Sequence, residues 1–107
     1  MNPDGLRNQI EGGIVQATSF ALKEAITLDG AEVTTRAWND YPILTFAETP
    51  EIRVDLIDRP ELPPLGAGET AVAPTVAAIG NAVARALGVR VCEIPITREA
   101  IVAASMS

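Results

Sequence analysis

Residues 59–70 hold three prolines (Pro60, Pro63, Pro64) and two glycines (Gly66, Gly68), and no regular helix or ladder can run through such a stretch. The chain of 107 residues is therefore cut into two structured parts joined by an irregular segment. In a chain this short, a long irregular segment is either a solvated linker or a functional loop. What lies on each side of it decides which.

Upstream, Asn2 is a good helix cap, Pro3 suits the first helical position and Asp4 complements the helix dipole. The spacing predicts a helix over residues 3–28, closed by the turn pair Asp29-Gly30. Leu6, Ile10, Ile14, Ala17 and Ala21 form its apolar stripe. A second stripe, Gln9, Gly12, Gly13 and Gln16, is neither greasy nor charged. A β-branched and aromatic run predicts a strand over residues 32–41, and Pro42 and Pro50 bound a link. Residues 51–56 alternate strictly, with Ile52, Val54 and Leu56 on one face and Glu51, Arg53 and Asp55 on the other, as in a half-solvated antiparallel strand.

Downstream, Val72, Val76, Ile79, Gly80, Val83 and Leu87 predict a helix over residues 72–87 stopped by Gly88. A strand over residues 89–94 and a short helix capped by Thr97 and running through Ala104 should follow. This order predicts an α+β fold forming a single domain over residues 1–107. Its small sheet, built from residues 32–41 and 51–57, would carry two main helices packed on it, with a real core.

Charge narrows the function. The net charge is −6, and residues 24–69 hold ten acids against three bases, a field that repels a phosphate backbone, so no nucleic-acid partner is expected. No run of eighteen apolar residues and no secretory signal stand in the sequence, so neither a membrane span nor export by its own leader is expected. Cys92 is the single cysteine and histidine is absent, which excludes an intrachain disulfide, a Cys/His zinc site and a cysteine-ligated iron–sulfur cluster within this chain. No metal ligand is assigned here, and proton transfer must fall to a carboxylate or to a partner.

Three landmarks occur in order: Asn2-Pro3-Asp4-Gly5 through Gln9-Ile10-Glu11-Gly12-Gly13; Asp40-Tyr41-Pro42 followed by Glu48-Thr49-Pro50-Glu51-Ile52; and Gly66-Ala67-Gly68-Glu69 before an apolar helix. Together they resemble the C-terminal segment of molybdenum hydroxylase large subunits, the xanthine dehydrogenase and aldehyde oxidase superfamily, and most closely its isoquinoline 1-oxidoreductase beta subunit-like branch. The Ile94-Pro95-Ile96-Thr97 stretch also resembles that branch. Thr70 departs from the proline that often follows the glutamate in the family.

The resemblance implies part of a larger molybdopterin-binding domain in an oxidoreductase that hydroxylates an aldehyde or N-heterocycle carbon with water-derived oxygen. Glu69 takes the place of the catalytic glutamate, and Gln9, Gly12 and Gly68 are the implied cofactor contacts. The implied cofactor is a molybdenum–pyranopterin, as molybdopterin cytosine dinucleotide, with iron–sulfur clusters only on a partner subunit. Implied partners are the upstream molybdopterin-binding portion, a 2Fe-2S small subunit and a small-molecule substrate, in an oligomer. This chain alone would be inactive.

Other readings stand beside these. Glu69 after a glycine loop is also a helix-capping or solvated glutamate. Gln9, Gly12 and Gly13 equally suit close helix–helix packing, since small residues serve both purposes. The alternative for the whole chain is a non-catalytic structural or interaction domain retaining only the fold. Glu11 is expected as a structural partner, Cys92 as a small core residue, and Trp38 and Tyr41 as buried aromatics.

Overall fold

The computed structural model describes residues 2–107. Helix α1 spans Pro3–Leu22 and begins as its sequence dictates: Asn2 Oδ1 accepts from the N–H groups of Asp4 and Gly5 at 3.0 and 3.2 Å. It ends six residues before the expected turn. The N–H groups of Lys23 and Glu24 both fold back onto the Ser19 carbonyl, and Lys23 Nζ donates to both carboxylate oxygens of Glu48 at 2.6 and 2.7 Å. β-Branched Ile26 and Thr27 then leave the helix. Thr27 bonds instead with Thr34 and Thr35 across a hairpin.

That hairpin pairs β1 (Leu28–Asp29) antiparallel with β2 (Glu32–Val33), Leu28 opposite Val33. Gly30, with φ +57°, supplies its left-handed turn. The fold is α+β, with three helices and this two-stranded sheet among the described residues.

The strand expected over residues 32–41 stops at Val33. Asp40 Oδ2 accepts from the N–H groups of Arg36 and Ala37, winding Trp38–Asp40 into a single 3-10 turn. Glu48 acts similarly through the Thr45 N–H and hydroxyl, setting the 3-10 turn Phe46–Glu48. Residues 51–57 alternate in exposure as expected, yet they form no strand and pair with none among the described residues.

Helix α2 spans Val72–Leu87 and tolerates Pro74 because the first turn needs no N–H donor there. Gly88, at φ +73°, terminates it as expected. Val76, Ile79 and Val83 are half-buried, and α2 packs on α1, not on a sheet built from residues 32–57. Residues 89–94 form no strand. Helix α3 spans Arg98–Ser105 and is capped by Thr97, whose hydroxyl accepts from the Ala100 N–H at 3.2 Å. Buried Ile96 ties this end of the chain back to α1, its N–H donating to the Ala21 carbonyl at 2.6 Å.

The expected core is thin. Ala17, Ala21 and Ile96 are the buried hydrophobic residues among those described, and no large side chain is fully enclosed. Trp38 is 81% exposed and Cys92 is exposed, so neither fills a core. Tyr41 is half-buried, and its hydroxyl donates to Glu24 at 2.7 Å, which holds the phenol above its ordinary pKa of 10.0. Among the described residues, no helix is long and apolar enough to cross a membrane.

Candidate functional site

The α1–α2 contact positions everything of chemical interest. Where the two helices meet, a Cβ added at Gly13 would stand 3.3 Å from the Ala71 Cβ, so Gly13 is buried for close packing. Gly12 lies one residue earlier and is exposed, with open space where its Cβ would be. The two readings of this glycine pair are thus divided between its members. Gly13 serves the helix interface as well as lining the gap beside it, and Gly12, which meets nothing, opens that gap.

That gap is a cleft of about 290 Å³ lined by Gln9, Gly12 and Gln16 from α1 and by Gly68, Glu69 and Val72 from the loop and the start of α2. Residues some sixty positions apart are joined directly across it, because Gln9 Nε2 donates to the Gly68 carbonyl at 2.8 Å. The Val72 N–H donates to the Glu69 carbonyl at 3.1 Å, anchoring the loop to the first turn of α2. Glu69 itself is exposed, and no hydrogen bond or ion pair engages its carboxylate among the described residues. The neighbouring Leu65 is 82% exposed and does not shield the glutamate from water.

All four residues singled out in the sequence line the same cleft: Gln9, Gly12, Gly68 and Glu69. Asn8 and Phe20 also line it, and the sequence reading missed both. Phe20 follows Gln16 by one helical turn and Asn8 stands one turn before Gly12, so stepping four residues outward from Gly12 and Gln16 would have found both. Glu11 points elsewhere and makes no ion pair among the described residues.

The cleft suits one wall of a cofactor site. Gly12 and Gly68 leave space on opposite sides, Gln9 keeps its amide oxygen as an acceptor after its Nε2 is spent on Gly68, and Gln16 adds a second amide. No group of three or more His, Cys, Asp or Glu side chains gathers as metal ligands among the described residues. A metal at this cleft would need ligands from its organic cofactor, and this chain's own contacts would be amide, backbone and carboxylate.

Comparison with known proteins gives the chain a family. Residues 1–50 match a molybdopterin cofactor-binding domain. The chain is 46% identical over 104 residues to a nicotinate dehydrogenase subunit of Pseudomonas putida, covering 97% of this chain and 9% of that protein. It is 32% identical over 93 residues to the beta subunit of isoquinoline 1-oxidoreductase from Brevundimonas diminuta, covering 87% and 12%. Among solved structures, quinoline 2-oxidoreductase of Pseudomonas putida 86 superposes with a TM-score of 0.81 at 30% identity, over 99% of this chain and 14% of that one. The chain thus spans only about a tenth of the relatives it matches.

Proposed function

The chain belongs to the molybdenum hydroxylase family, as a segment of its molybdopterin-binding subunit, and from that membership we propose that it supplies the catalytic base and one wall of the cofactor pocket. The observation that carries this reading is the convergence of Gln9, Gly12, Gly68 and Glu69 on one cleft, with the loop tied to α1 by the Gln9–Gly68 hydrogen bond.

When bound, the molybdenum–pyranopterin, as its cytosine dinucleotide, supplies the two-electron oxidation. The Glu69 carboxylate would accept the proton of the water-derived oxygen as that oxygen bonds to an electron-poor carbon, whose hydrogen would leave as hydride with its two electrons going to the bound cofactor. Gln9 holds the Gly68 carbonyl and so fixes the loop bearing Glu69, leaving its own amide oxygen to accept a hydrogen bond from the cofactor. Gly12 lets the cofactor approach the α1 backbone closely. An N-heterocycle is the favoured substrate class, since three matched relatives bear the names of such compounds. Residues 1–107 act as a single unit completed by the rest of the molybdopterin-binding subunit, with the iron–sulfur clusters on a separate 2Fe-2S subunit.

Glu69→Gln keeps shape and hydrogen bonding but cannot take the proton. In the assembled enzyme, turnover should fall by about 10²–10⁴-fold at unchanged molybdenum content. Near wild-type turnover with full metal loading would reduce Glu69 to a solvated loop residue.

A further inference from the structure

Contacts from α1 fall on both sides of Glu69. Gln9 and Gly13 stand one turn apart on that helix and share a face. Gln9 Nε2 donates to the Gly68 carbonyl at 2.8 Å, one residue before the glutamate. A Cβ added at Gly13 would stand 3.3 Å from the Ala71 Cβ, two residues after it. Between these contacts the Glu69 carbonyl accepts from the Val72 N–H at 3.1 Å. The Thr70 hydroxyl, 3.4 Å from the Ala67 carbonyl, adds a weaker local tie.

Peptide planarity turns these bonds into a constraint on Glu69 itself. The two peptide planes flanking a residue are related only by its φ and ψ, so holding both planes fixes where its Cα–Cβ bond points. The plane after Glu69 contains its own carbonyl, which the first turn of α2 holds through Val72. The plane before it contains the Gly68 carbonyl, which Gln9 holds. Gly68 has no side chain to restrict its backbone, and the space where its Cβ would be is open, so steering of that first plane falls to Gln9. The Glu69 carboxylate has no hydrogen bond or ion pair of its own among the described residues, and its placement therefore starts from the backbone.

We infer that Gln9 is a positioning residue for Glu69: its amide N–H orients the Gly68–Glu69 peptide and, through that peptide, the carboxylate. The inference rests on the proposed role of Glu69 as base. It gives Gln9 a contribution to turnover separate from any contact between its amide oxygen and the cofactor.

The test uses the assembled enzyme. Gln9→Met keeps the length of the side chain and removes the donor. Misplacing a catalytic group by about 1 Å costs up to about a hundredfold, so turnover should fall by about ten- to a hundredfold, with KM and molybdenum content unchanged. The same substitution in a Glu69→Gln background should cost nothing further, because a residue that acts through the carboxylate has nothing left to act on. A second measurement needs no turnover. Peptides covering residues 68–73 should exchange deuterium faster in Gln9→Met than in the wild type, while mid-α1 peptides stay unchanged. Additive losses in the double variant, loss of molybdenum as the main effect of Gln9→Met, or unchanged exchange over residues 68–73 would each overturn the inference. The Glu69→Gln enzyme separates the two readings. Near wild-type turnover in it would overturn the proposed function and this inference together, whereas a crippled Glu69→Gln enzyme with additive Gln9→Met would overturn the inference alone.

Discussion

Two adjacent glycines on α1 do opposite work. Gly13 is where α2 comes closest, and an added methyl there meets the Ala71 Cβ at 3.3 Å. Gly12 meets nothing, so its alanine variant should regain most of the helix propensity that glycine forfeits, about 0.5–1 kcal/mol. Gly12→Ala is therefore expected to raise the melting temperature of the metal-free protein while lowering molybdenum content in the assembled enzyme, read by calorimetry and metal analysis. Gain on both measures would mean that Gly12 faces solvent only. The four residues of this cleft were singled out chiefly through the family resemblance, with a pair of glycines inside a helix and a glutamate directly after a glycine loop as its local support. The division between Gly12 and Gly13 was not legible, since it depends on which face α2 selects. Burial of Trp38 and Cys92 failed for a related reason. An apolar residue type predicts burial only where the chain itself supplies something to cover it.

At the level of elements, the helices were readable and the strands were not. Caps and stops are local chemistry, so Asn2, Gly88 and Thr97 terminate their helices where their types require. Strand pairing is not local. Residues 34–41 lose their ladder to Asp40, whose carboxylate captures two backbone N–H groups, and residues 51–57 keep the period without finding a partner. The early end of α1 depends on a clamp invisible in the sequence, with Lys23 and Thr45 both bonding Glu48. Lys23 first, and then Thr45, lower the Glu48 pKa from 4.5 to about 2. A carboxylate depressed in the folded state contributes stability that is complete above its unfolded pKa and lost as pH falls through the folded one. The clamp should therefore hold fully above pH 4.5, weaken below it and be gone near pH 2. Deuterium exchange of the Lys23 and Glu24 amides should accelerate, relative to mid-α1 amides, as pH drops through that window. Glu48→Gln should show fast exchange already at neutral pH, and pH-independent protection in the wild type would exclude the clamp.

The molecule as a whole is too extended to be self-sufficient. Its radius of gyration is 16.9 Å and its extents are 52 × 35 × 27 Å, where a compact chain of this length has a radius near 13 Å. Phe46, Ile57 and Leu65 stand almost fully in solvent. Made without a partner, the chain is expected to self-associate without order, and light scattering at high concentration should find no stable 11.2 kDa monomer. A monodisperse monomer would show that two alanines and an isoleucine suffice as a core. The thinness of that core also bears on where the chain opens first. With few buried apolar contacts to hold it, local opening is expected to start in the proline loop of residues 59–70, and limited proteolysis should cut there before it cuts α1.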